Sequence, residues 1–149
     1  MNRKSLISII IASILLLISV TNASDQGVSL TVIAENLRNS KGVVQIALYN
    51  KDGTIPDEHY KNHFKMKKVA IANGEAQYTF TNLPKGVYAV NILHDENNNG
   101  KIDKGMILPK EGIGFSNYSS LGLTNRPNYK KASFELKENT TIKVKVIYM

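Results

Sequence analysis

Hydrophobic side chains in this chain recur at every second position, in short runs closed by turn residues. A period of two fits strands with one buried face and excludes a helical bundle. Val28, Leu30, Val32 and Ala34 alternate with Ser29, Thr31 and Glu35 as a first strand, and residues 38–42 form the turn that follows. Val44, Ile46 and Leu48 mark the inner face of a second strand ending at Tyr49. Residues 65–72 and 75–80 read as a third and a fourth strand joined at Asn73-Gly74, a pair suited to a type I′ hairpin because both central residues need positive φ. Ala76, Tyr78 and Phe80 then share one face. After the Pro84 and Gly86 turn, Tyr88, Val90 and Ile92 give a fifth strand that ends at His94. Ala132, Phe134 and Leu136 give a sixth, and Ile142, Val144, Val146 and Tyr148 a seventh, with Lys143 and Lys145 facing outward. The expectation is an all-β, antiparallel, seven-stranded β-sandwich, immunoglobulin-like or transthyretin-like, with a long irregular loop between strands five and six. Residues 50–64 are polar, and Pro56 there can open one or two helical turns.

The start of the 149-residue chain follows a different pattern. Asn2, Arg3 and Lys4 precede an apolar run from Leu6 to Val20, and Thr21, Asn22 and Ala23 follow as a small polar exit, the layout of a secretory signal peptide. The run is shorter than the roughly 20 residues that span a bilayer comfortably. Cleavage is expected after Ala23, leaving residues 24–149 as a single domain without stable membrane insertion. The expected location is the periplasm, with the extracellular space as the alternative. Losing Arg3 and Lys4 lowers the formal net charge from +7 to +5. The chain has no Cys, which excludes disulfides, lipid acylation, thiol catalysis, Cys-ligated zinc and iron–sulfur clusters. A domain of this length can bury about two-thirds of its unfolded surface without such crosslinks.

Residues 95–131 show almost no periodicity, and a connection that long inside one domain calls for a functional or structural reason. It opens as DENNNGKID. Side-chain oxygens fall at Asp95, Asn97 and Asn99, then come Gly100, Lys101 and Asp103. That spacing matches the first nine positions of a calcium loop: ligands at 1, 3 and 5, a glycine turn at 6, a backbone carbonyl at 7 and a carboxylate at 9. Asp95, Asn97, Asn99 and Asp103 are therefore candidate calcium ligands, Lys101 a candidate carbonyl donor, and Glu111 an outlying carboxylate. Met106 stands where an EF-hand carries its bidentate Glu, so the loop is not an EF-hand. The alternative needs no metal, since Asp and Asn side chains also cap their own backbone in Asx-turns. Downstream, Gly112 and Gly114 alternate with Ile113 and Phe115, an extended segment whose backbone passes close to another chain or a ligand while Phe115 plugs the core.

Other groups are weaker. His59 and His63 would share a helical face and could clasp zinc beside Asp57 or Glu58, against the plainer reading of a solvated pair. His94 and Asp95, as neighbours on a strand, point to opposite faces, and Ser116, Ser119 and Ser120 lie in no nucleophile elbow. Lys65, Lys67, Lys68, Lys130, Lys131, Lys143 and Lys145 make the basic excess, which reads first as a solvated charged surface and, as the alternative, as a weak, salt-sensitive attraction to anionic envelope surfaces. Nucleic acid is not an expected partner, because aromatics are not interleaved with these lysines.

The succession LPKGVYAVNILHDENNNGKID and LPKEGIGFSN resembles the uncharacterised bacterial family called domain of unknown function 2141. The resemblance rests on Pro84, Gly86, Tyr88, Ala89, His94, Asp95, Asn97, Asn99, Gly100, Asp103, Pro109, Glu111, Gly112, Gly114, Phe115, Ser116 and Asn117. It implies an exported single-domain β-sandwich and no known reaction. The expected function is a non-enzymatic binding or structural module of the cell envelope, its loop possessing a candidate calcium site and its envelope ligand or protein partner unidentified. The rival expectation is an envelope hydrolase or metal-dependent enzyme using His94, Asp95 and Glu111.

Overall fold

A computed structural model describes residues 27–106 and 108–149. The leader read over residues 1–23 lies outside the described residues. Eight strands form two sheets: β1 Val28–Glu35, β2 Val43–Tyr49, β3 Lys65–Val69, β4 Ala76–Leu83, β5 Gly86–Asp95, β6 Gly112–Phe115, β7 Phe134–Leu136 and β8 Thr140–Lys145. One sheet has the order β4-β1-β8; the other runs β3-β2-β5-β6, with β7 paired to β5. The single helix among the described residues, α1 (Tyr129–Ala132), is one turn long, and the Asn128 side chain caps it by accepting from the Lys131 amide.

The period of two is realised on the face shared by the sheets. Leu30, Val32 and Ala34 of β1 meet Val44, Ile46 and Leu48 of β2, with Phe80, Val90, Ile92 and Val144 completing a continuous core. β1 alternates strictly between buried and half-buried residues, and Lys143 and Lys145 are exposed on β8 as expected.

Four expectations change. The strand count among the described residues is eight, not seven, because the stretch read as one long irregular loop contains β6; two glycines in four residues leave little side-chain pattern to read. The arrangement is not wholly antiparallel, since β1 pairs with β8 in parallel, Leu30 opposite Thr140. Ala132 belongs to α1 rather than to a strand. The Asn73-Gly74 turn does form, with both residues at positive φ, but after the Ala72–Glu75 bridge the chains part and β3 joins β2 while β4 joins β1. β3 has no fully buried residue, so little ties it to β4, and the longer partners prevail.

β2 and β5 are also buried on their second face, as central strands covered on both sides are. There a smaller core gathers Ala47, Tyr49, Ala89 and Leu93 beneath Ile55 and Tyr60 from residues 50–64 and Tyr118 and Tyr129 from residues 116–133. Residues 50–64 form turns and no helix, so the His59 and His63 spacing loses its helical meaning. His63 Nδ1 instead lies 2.6 Å from the Tyr60 carbonyl. No described helix is long and apolar enough to cross a membrane.

Candidate functional site: the loop between β5 and β6

The alternation of β5 sends His94 into the inter-sheet side and Asp95 to the other. His94 is fully buried. Its Nε2–H donates to the Lys41 carbonyl at 2.9 Å, which leaves Nδ1 to accept from the Tyr148 hydroxyl at 2.7 Å. Tyr148 in turn accepts the Arg38 amide at 3.1 Å.

Asp95 is also fully buried, and both of its oxygens are used by the loop it starts. Oδ1 accepts from the Asn99 amide at 2.9 Å and Oδ2 from the Gly100 amide at 2.8 Å. Asn98 (φ 57°) and Gly100 (φ 82°) supply the left-handed turns that bring those amides round. Asn97 Oδ1 accepts from the Asn99 amide and Asn99 Oδ1 from the Lys101 amide, two successive Asx-turns. The other ends of the same side chains converge: Asn97 Nδ2 and Asn99 Nδ2 donate to Asp103 Oδ2 at 2.6 and 2.8 Å. Those two donors hold the Asp103 carboxyl below its usual range.

Glu111, just before β6, closes the loop. It is 4% exposed, and its two oxygens accept from the Glu96 and Asp103 amides, each at 3.1 Å. The loop thus begins and ends on one carboxylate, while Lys110 N–H donates to the Asp103 carbonyl at 2.8 Å. Burial pushes the Glu111 carboxyl up, and the nearby Asp95 and Asp103 charges add to this against the lowering effect of its two amide donors.

On the outside, Arg38 forks onto Glu96 at 2.6 and 2.8 Å and stacks over the Tyr148 ring. Hydrogen bonding from Arg38, ahead of that from Asn39, holds the Glu96 carboxyl at about 2 against an ordinary 4.5. A lowered carboxyl stabilises the fold fully above pH 4.5, and that contribution is lost as pH falls through about 2. With both partners partly exposed, about 1–2 kcal/mol is expected after allowing for solvent screening. Urea titrations of Glu96→Gln and wild type between pH 6 and pH 2 should show wild type losing this increment and the variant lacking it throughout.

The downstream residues are placed by packing. A Cβ on Gly112 would lie 2.4 Å from the Tyr148 ring, and one on Gly114 would lie 2.6 Å from the Lys145 carbonyl, so the expected close approach is to the end of β8. Phe115 is buried in the outer core. Ser116 Oγ accepts from the Val90 amide and donates to the Ala132 carbonyl, and Asn117 Nδ2 reaches the Ser133 carbonyl at 2.9 Å beyond α1. Pro109 bridges to Lys104 across the returning limb.

His94, Asp95 and Glu111 do not meet in an open cleft: the histidine lies on the opposite face, and both carboxylates are spent on backbone amides. Among the described residues no three His, Asp or Glu side chains are grouped to hold a metal ion. Sequence reasoning did not single out Arg38, Tyr60 or Asn91. Asn91 carries a legible signal, a lone polar residue in the otherwise apolar run from Val87 to Leu93.

Fold and site together define an all-β domain that carries one self-capped acidic loop. The chain belongs to the family of uncharacterised proteins conserved in bacteria, DUF2141, whose model matches residues 32–143. No curated protein and no solved structure matches it.

Proposed function

We propose that this chain is an exported, non-enzymatic β-sandwich module of the cell envelope, immunoglobulin-like or transthyretin-like, that holds a preformed loop for binding. One observation carries the reading. The oxygens of Asp95 and Glu111 are spent on backbone amides of the loop, and the ring nitrogens of His94 on Lys41 and Tyr148 on the opposite face, so the region serves as a rigid scaffold rather than as acid–base machinery. The two sheets sharing one core support the sandwich, and the leader pattern at residues 1–23 supports export. Exposed Lys67, Lys68, Lys143 and Lys145 would add a weak, salt-screened attraction to anionic envelope surfaces. Fractionation of cells expressing the C-terminally tagged chain tests this. N-terminal sequencing should find mature protein beginning at Ser24 in the periplasm, whereas an uncleaved chain in the cytosol overturns the export reading.

A second reading, calcium in the loop, is favoured by the meeting of Asn97, Asn99 and Asp103 heads at one exposed point. Turning the two terminal amides over would bring their oxygens to Asp103 there at the cost of the two Asx-turn bonds they now accept, and the Lys101 carbonyl would be a further donor. Asp95 and Glu111 would stand behind as fixed negative charge. Calcium at 100 times its Kd would then add about 2.7 kcal/mol to stability. An unchanged melting temperature in millimolar calcium removes this reading, and Asp103→Ala should abolish any increase that is seen.

A further inference from the structure

Beside the acidic turn, and lined in part by the far limb of the same loop, a groove of about 350 Å³ opens on the outer face of the β3-β2-β5-β6 sheet, within the size range of small-molecule sites. Ile102, Ile113, Phe115 and Leu121 wall it, and the rim includes Leu108, Leu123 and Met149, three of the six large hydrophobics that stand exposed among the described residues. Asn91 of β5 also lines it, with no exposure to solvent. Its Oδ1 accepts from the Tyr60 hydroxyl at 3.3 Å, while its Nδ2, beside the Tyr49 hydroxyl oxygen, makes no hydrogen bond of normal geometry. A buried amide donor left unpaired is costly, and natural proteins keep few of them without a purpose.

The charges around the groove narrow what fits. Asp57 also lines it, and its carboxylate is committed to the Tyr49 hydroxyl and the Lys61 and Asn62 amides. A fixed negative group beside the floor disfavours an anion there. At the mouth Lys104 is tied to Glu58 at 2.6 Å, and Arg126 adds an exposed positive charge to the lining that the solvent screens. The occupant that satisfies apolar walls, a neutral floor donor and a nearby carboxylate is uncharged at the end that meets the floor, with an apolar body and one acceptor oxygen.

We propose that this groove binds small neutral amphiphiles, with a carbonyl or hydroxyl oxygen accepting from Asn91 Nδ2 and the hydrocarbon body lying against Ile102, Phe115 and Leu121. The site deepens the binding-module reading and rests on it, yet the two fail separately, because binding by purified protein does not depend on where the cell sends it.

The test uses 6-propionyl-2-dimethylaminonaphthalene, a neutral aromatic ketone, and its analogue with a propyl group in place of the propionyl, each in equilibrium dialysis against protein purified as the cell processes it. Wild type should bind the ketone saturably and about tenfold more tightly than the hydrocarbon, the margin expected for one buried hydrogen bond. Asn91→Leu should equalise the two affinities by weakening only the ketone. Should that variant not fold, Leu121→Trp, which fills the groove, and Leu123→Asp, which charges its rim, should weaken both ligands by about tenfold or more with Asn91 intact. Absence of saturable ketone binding to wild type overturns the proposal. So does equal affinity for the two compounds in wild type, a ketone preference retained in Asn91→Leu, or binding unaffected by Leu121→Trp and Leu123→Asp.

Discussion

Glu111→Ala is expected to lower stability by about 2–3 kcal/mol, the cost of leaving two amides without their acceptor in a buried setting. The side chain is 4% exposed, and its two oxygens are the partners of Glu96 N–H and Asp103 N–H at 3.1 Å. For a domain of this size the loss corresponds to a fall of roughly 10 °C in melting temperature. Calorimetry measures the total, and amide exchange at Glu96 and Asp103 shows where it originates. Glu111→Gln keeps one acceptor but turns an NH2 toward the other amide, so it should recover only part of the loss. A Glu111→Ala variant that melts within a degree of wild type would mean that the loop does not close on this carboxylate.

Gly114→Ala should be comparably damaging for a different reason. Gly114 lies opposite Ile92 in the β5–β6 ladder, and an added Cβ would come within 2.6 Å of the Lys145 carbonyl and 3.2 Å of Val144 Cγ1. The first of these atoms is backbone, so relief requires β6 to move away from β8. Overpacking of this sort costs about 1–3 kcal/mol, and here the upper end is expected, because β6 and the chain after β8 are also tied by reciprocal hydrogen bonds between Ile113 and Ile147 at 3.0 and 2.8 Å. Chemical denaturation measures the cost; Gly122→Ala, where a Cβ would meet nothing within 4 Å, is the control and should be near neutral.

These two sites mark the boundary of what the sequence discloses. Strict alternation in Val28–Glu35 and in Val44, Ile46 and Leu48 locates the face between the sheets, because a side-chain period of two leaves one way to bury those residues. The glycines at 112 and 114 announce a close approach, and DENNNG announces a turn. What the alternation conceals is the second buried face. Ala89, Asn91 and Leu93 sit at positions that a half-exposed strand would give to solvent, and only the folding of residues 50–64 and 116–133 over them makes them interior. The extended segment at residues 112–115 is legible as extended but not as a paired strand for a related reason: its pairing comes from β5 and its packing from β8, neither of which is local. The role of Glu111 was illegible because a carboxylate fifteen positions from Glu96 can be read as an outlying metal ligand or as a clamp on backbone amides. Geometry alone separates those uses. Likewise, nothing local in the polar stretch of residues 36–42 shows that Arg38 will fork onto Glu96, or that the Lys41 carbonyl will accept a hydrogen bond from His94 Nε2–H.

The loop between β5 and β6 is organised by its own carboxylates. Amide hydrogen exchange at Asn99 and Gly100, followed in excess EDTA, tests this most directly. Bonding to Asp95 predicts slow exchange at both amides in the metal-free protein, lost in Asp95→Ala at Gly100 and reduced at Asn99, which keeps Asn97 Oδ1 as an acceptor. Free exchange at both sites in EDTA, with protection arising only when calcium is added, would contradict it.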